Sequence, residues 1–149
     1  MDRDPADILG ETLLAETLRA HAPAGPVVVS VCISCKANDG SGLVVGPEMF
    51  EATKAALGDA DVIVRPVQCL SVCKRPATVA VTSPDGYTFL FGDLQTDSGT
   101  AALRSFVQSY QKSDYGLVPW RERADVLRKG MIARVPPMRW SPDDGRAPK

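Results

Sequence analysis

The run Thr78-Val-Ala-Val-Thr-Ser-Pro-Asp-Gly-Tyr-Thr-Phe-Leu-Phe91 reads as two short strands around a tight turn. β-Branched and aromatic side chains suit a pleated, half-buried backbone on both flanks. Between them, Ser83-Pro-Asp-Gly86 holds the residues that reverse a chain: a proline with fixed φ, an aspartate with a local acceptor, and a glycine free to take positive φ. The reading is an antiparallel hairpin, and its neighbours decide what sheet it joins.

Upstream, Val27-Val-Val-Ser-Val-Cys-Ile33 follows a Pro/Gly break and is too short and too β-branched for a helix, so it predicts a buried strand. Residues 47–57 then place Met49, Phe50, Thr53, Ala56 and Leu57 on one side of a helix closed by Gly58. A second strand over residues 61–67 completes a βαβ unit, whose strands run parallel. Downstream of the hairpin, residues 97–110 align Ala102, Leu103, Phe106, Val107 and Tyr110 as a last helix. The order β-α-β-β-β-α over residues 27–112 is that of a thioredoxin-like α/β fold. Ahead of it, Leu9, Leu13, Leu14 and Leu18 at helical spacing predict an added N-terminal helix, with a linker reaching residue 26. Residues 113–149 show no long periodic run and read as a C-terminal extension.

The chain has 149 residues, enough for one domain with a real core; 44% are hydrophobic and the net charge is −1, which argues against disorder and against a global drive toward nucleic acid or membrane. The near-zero charge conceals a division. Residues 1–118 carry 9 basic and 14 acidic side chains, whereas 119–149 carry 8 and 4, a basic extension on an acidic body. The longest stretch free of charge, residues 20–35, is shorter than the ~20 residues of a bilayer span and is broken by prolines. The acidic start lacks the pattern of a secretory or mitochondrial signal, so the expected compartment is the cytoplasm.

In a reducing compartment, cysteine usage becomes informative. The four cysteines form two pairs, Cys32-Ile-Ser-Cys35 and Cys69-Leu-Ser-Val-Cys73, with 33 residues between them. Each pair sits where a predicted strand runs out into a loop. If those strands are parallel neighbours, their carboxyl ends lie side by side and the four sulfurs converge. Four thiolates suit an iron–sulfur cluster or zinc, while structural disulfides are disfavoured by compartment.

The stretch Val67-Gln-Cys-Leu-Ser-Val-Cys-Lys-Arg-Pro-Ala-Thr-Val79 resembles the second cysteine motif of thioredoxin-like 2Fe-2S ferredoxins, including the ferredoxin-like subunit of NADH:quinone dehydrogenases. That family's Cys-Leu-x-x-Cys-x-x-Pro before a hairpin is matched by Cys69, Leu70, Cys73 and Pro76. The run from residue 27 to 110 also resembles a family of small proteins described as predicted metal-binding. The resemblance implies a 2Fe-2S cluster on Cys32, Cys35, Cys69 and Cys73, electron transfer to a redox partner protein, homodimerisation, and service to a cofactor pathway such as cobalamin synthesis. One spacing departs from the ferredoxins: only Ile33 and Ser34 separate the first two cysteines, a tightness familiar from zinc sites. Zinc ribbons, in turn, pair their knuckles ~15–20 residues apart, which this chain does not. A zinc site remains the alternative, structural or metal-handling.

Lys36, Lys74 and Arg75 follow the ligands directly and would favour a reduced, more negative cluster, unless they are ordinary solvated loop cations. Pro76 stands where thioredoxin-like folds place a cis proline beside the dithiol, or is simply a trans proline opening a strand. A third reading takes Cys32 and Cys35 as a thiol–disulfide oxidoreductase motif; turn residues through Gly42, not a helix, follow it directly. His21, in the linker, reads as solvated, and neither a phosphate loop nor paired catalytic carboxylates appear. The N-terminal leucine stripe or Trp120 could supply a dimer surface, and the basic extension could dock an acidic redox partner.

Overall fold

The computed structural model describes residues 26–138. Among these, five strands form one sheet in the order β2-β1-β3-β4-β5: β1 Val27–Cys32, β2 Val62–Val67, β3 Val79–Thr82, β4 Thr88–Phe91 and β5 Met131–Val135. Helices α1 (Gly46–Ala56), α2 (Ser98–Lys112) and α3 (Asp125–Gly130) connect them. β1 and β2 pair in parallel through α1, and β3 and β4 form the expected antiparallel hairpin, with the Gly86 N–H donating to the Ser83 carbonyl at 3.3 Å. The expected β-α-β-β-β-α order of a thioredoxin-like α/β fold is therefore observed, with β5 added to its sheet.

Register explains why this sheet buries one face. Val29 lies beside Val81 and Val81 beside Phe89; one row along, Val31 lies beside Val79 and Val79 beside Phe91. Because side chains alternate along a strand, these two rows point the same way, and all six residues are fully buried. Met49, Thr53 and Leu57 of the α1 segment and Leu103, Phe106, Val107 and Tyr110 of α2 complete the core. Phe106 packs edge-on to both Phe89 and Phe91, each at a centroid distance of 5.0 Å. The Tyr110 hydroxyl donates to the Tyr87 carbonyl at 2.7 Å and meets Ser83 Oγ at 3.0 Å, so the hairpin turn is fastened to α2. Burial pushes that hydroxyl up to about 12, with the Ser83 contact pulling the other way.

The stretch after residue 112 contributes more structure than its sequence announces. Two short 3-10 turns, Asp114–Gly116 and Trp120–Glu122, lead into α3, and β5 then pairs antiparallel with β4 as the edge of the sheet. Buried Arg123 holds the passage by donating twice to the Val118 carbonyl, at 3.1 and 2.8 Å, with its guanidinium 5.2 Å from the Phe89 ring centre. Pro136 and Pro137 end β5, as befits an edge strand that needs no further ladder donors. The expected N-terminal helix over residues 7–20, His21, Trp140 and the end of the extension lie outside the described residues.

Replacing Phe106 with alanine removes the ring that both core phenylalanines pack on and should cost about 3–5 kcal/mol, whereas Tyr110→Phe should cost about 1–2 kcal/mol, both read by urea unfolding. Ending the chain at residue 118 should leave β4 as an open edge and give an aggregation-prone product by size-exclusion chromatography.

Candidate functional site

Cys32 is the last residue of β1, in register with Val67 of β2. The ladder runs one residue further, with the Ile33 N–H donating to the Val67 carbonyl at 2.9 Å, and the Cys32 N–H donates to the Thr78 carbonyl at 3.1 Å. The carboxyl ends of β1 and β2 and the approach to β3 are thus gathered at one edge. Cys32 Sγ lies 3.8 Å from the Gln68 carbonyl and 3.5 Å from Ser34 Oγ, and Cys35 Sγ lies 3.5 Å from Thr78 Oγ1. Both thiols are buried.

The turn after Cys35 leaves and returns to the same place. The Cys35 carbonyl accepts the N–H groups of Val45 at 2.8 Å and Gly46 at 3.3 Å. Between them, Lys36 bridges to Val44, the Asp39 carboxylate takes the Ser41 N–H at 2.9 Å, and Gly40 and Gly42 adopt positive φ, the turn chemistry expected of residues 36–42. Although α1 does not follow Cys35 directly in sequence, its first residue lies against the backbone of Cys32 and Ile33. A Cβ on Gly46 would fall inside that backbone, so only glycine permits the approach.

The two thiols are in unlike states. Burial pushes Cys32 up, but hydrogen bonds with Ser34, with the Cys35 thiol and with the backbone at Ser34 and Leu70 outweigh it and bring the thiol down to about 7. Burial also pushes Cys35 up; there the Thr78 hydrogen bonds oppose the shift, the Cys32 thiol adds to it, and the net effect is upward. Thr78 and Ser34 are neighbours of the two thiols that spacing does not single out. Thr78 is legible only in retrospect, as the residue two beyond Pro76 that immediately precedes β3.

Cys69 and Cys73 lie in the adjoining loop and are exposed. That loop is shaped by its own turns: the Ser71 N–H donates to Cys69 Sγ at 3.1 Å with Ser71 at positive φ, and the Arg75 N–H donates to the Val72 carbonyl at 3.0 Å. The structure therefore brings Cys32 and Cys35 together and places the second pair nearby on the next strand end. It does not gather the four sulfurs as topology alone suggests: among the described residues no group of three or more Cys, His, Asp or Glu side chains is close enough to hold one ion. The two loops touch, with Asn38 Nδ2 donating to the Lys74 carbonyl at 3.3 Å.

Of the three cations, Lys36 and Lys74 are exposed, while Arg75 is turned to other work. Its Nε meets Asp93 Oδ2 at 2.7 Å and its Nη2 donates to the Lys129 carbonyl at 2.9 Å. The reading of Pro76 as a cis proline is corrected: the cis bond among the described residues is Pro76–Ala77, which follows the proline. Beside these loops opens a groove of about 510 Å³ lined by Asn38, Met49, Pro76, Leu94 and Thr96 among others. No helix among the described residues is long and apolar enough to cross a membrane.

Two solved structures resemble this one, both described as a thioredoxin-like [2Fe-2S] ferredoxin from Aquifex aeolicus. One is 16% identical, with a TM-score of 0.50 over 78% of this chain and 100% of that one. The other is 18% identical, with a TM-score of 0.47 over 74% and 99%. At this identity the likeness of the first speaks to the fold alone. No curated protein matches the chain. Residues 29–137, from within β1 to beyond β5, match the family described as "Protein of unknown function (DUF1636)", and the chain belongs to that family.

Proposed function

We propose that the protein is a small electron carrier of the thioredoxin-like ferredoxin type, holding one 2Fe-2S cluster on Cys32, Cys35, Cys69 and Cys73. The observation that carries the reading is the placement of two cysteine pairs at the adjacent carboxyl ends of paired parallel strands, Cys32 opposite Val67 and Cys69 two residues beyond it. The donor set, four thiols, fits such a group in chemistry, and the fold is that of the ferredoxins named above. A cluster of this kind supplies one-electron transfer. The chain's own residues do the rest: Cys32 and Cys35 offer a buried half-site, the exposed Cys69 and Cys73 complete the donor set, and their exposure keeps the site near the surface, where a partner can approach. The resemblance extends the reading to a cofactor-biosynthesis pathway such as that of cobalamin.

Protein purified anaerobically from iron-replete cells should contain two irons and two sulfides per chain, absorb in the visible, bleach with dithionite and give a paramagnetic resonance signal once reduced. Cys69→Ser and Cys32→Ser should each lose most of the iron. A colourless protein with one zinc per chain overturns the reading and installs the zinc alternative.

One observation favours a second reading, a redox-active dithiol at Cys32 and Cys35: a lowered first thiol in contact with a raised, buried second one. In the metal-free Cys69→Ser/Cys73→Ser protein, thiolate ultraviolet absorbance should appear in two steps, the first centred near pH 7 and the second above the ordinary cysteine range. Below the first step neither thiol would react with a disulfide; above it Cys32 would. A single ordinary step for both thiols, or no disulfide formed on oxidation, overturns this reading.

A further inference from the structure

Trp120 is 64% exposed, yet it is not loose. The Arg128 guanidinium sits 4.3 Å from its ring centre, and the same side chain donates to the Trp120 carbonyl at 3.1 Å and to the Arg121 carbonyl at 2.9 Å. Buried Arg123 locks the same turn from the other side through Val118 and Phe89. A large aromatic is thus held out in water by Arg128 on a turn that Arg123 fixes to the core, and the ring itself adds little to that core. Tryptophan and arginine fixed on a rigid turn are the residues that dominate protein interfaces, because little side-chain freedom is lost when they bind.

The same surface is continuous with the cysteine loop. α3 touches Trp120 through Arg128, and its next residue, Lys129, accepts the Arg75 hydrogen bond with its carbonyl. Arg75 lies two residues beyond Cys73 and is also fixed to Asp93. From Lys74 through Arg75 to Lys129, Arg128 and Arg121, the path is basic. Along it five cations stand against the three carboxylates Asp93, Glu122 and Asp125, the first paired with Arg75 and the last with Lys129 at 3.0 Å. The body that carries it is acidic, net −5 over residues 1–118 with Lys74, Arg75 and Asp93 included, and repels extended polyanions.

We propose that Trp120, Arg121, Arg128 and Lys129, together with Lys74, form the docking face for an acidic protein partner, with Trp120 as the anchor and the cations steering approach beside Cys69 and Cys73. That the partner exchanges electrons rests on the electron-carrier reading; the surface itself does not. An acidic protein fits this patch better than a nucleic acid does, since the patch is short, broken by carboxylates and carried on an acidic body.

The test uses the full-length ¹⁵N-labelled protein as purified, with an acidic flavodoxin as probe and basic cytochrome c as control. Titration with flavodoxin should move the Trp120 indole N–H and the amides of residues 121–129, saturably and less so as salt rises. Arg121→Glu/Lys129→Glu and Trp120→Ala, all at exposed positions, should each weaken binding about tenfold or more, and cytochrome c should leave these signals in place. The proposal is overturned by no binding, by shifts that map elsewhere, by affinity unchanged in both variants, by self-association through Trp120 without probe, or by a single-stranded oligonucleotide binding these residues more tightly than the flavodoxin. Iron and sulfide counts on the same sample decide the cluster separately: a zinc-loaded protein that still docks keeps the surface and loses the electron-carrier reading.

Discussion

The parallel pairing of β1 with β2 is the constraint on which the remainder of the structure rests. It fixes which residues end side by side, with Cys32 opposite Val67 and the Ile33 N–H closing the ladder on the Val67 carbonyl. A parallel pair needs a crossover between its strands, which places α1 on the sheet and returns its first residue to the end of β1. That same ladder aligns Val27, Val29 and Val31 toward the core, so the edge that carries the thiols and the face that carries the stability are two aspects of one register. A slip of one residue would turn the valines outward and swing Cys32 across the sheet.

Most of this was legible in the sequence because the signals were local. Val27–Cys32, residues 47–57 and the Pro-Asp-Gly hairpin each announce their conformation through β-branching, period or turn residues, and each element falls within a residue or two of its expected place. β5 was hidden for a physical reason. Five residues ending at a double proline have no period to detect, and their strand conformation is dictated by the open edge of β4. The 3-10 turns and α3 are similarly short and are held by tertiary contacts, notably those of Arg123 and Arg128.

At the cysteines the legible part was position along the sheet, and the hidden part was side-chain state. Spacing identifies four thiols in two pairs, but burial separates them: the first pair is packed under Thr78 and Ser34, and the second lies in a loop with turns of its own. Arg75 shows the same gap. Adjacent to a cysteine motif it reads as a cation for that motif, yet the pull of Asp93 and of the open carbonyl at the end of α3 takes its guanidinium elsewhere. A long side chain goes to the partners that three dimensions supply.

The unequal burial of the two pairs also fixes how a four-cysteine centre would be put together. Cys32 and Cys35 inherit their positions from the sheet and from the start of α1, where the N–H groups of Val45 and Gly46 already hold the Cys35 carbonyl. Residues 68–73 lie beyond the β2 ladder and are shaped by the loop's own turns. Any ion or cluster bound by all four thiols would meet a buried half set by the sheet and an exposed half on a loop, so the ordering cost of loading would fall on that loop more than on the sheet. The affinity of such a centre would then be adjustable from residues 68–73 without touching the core.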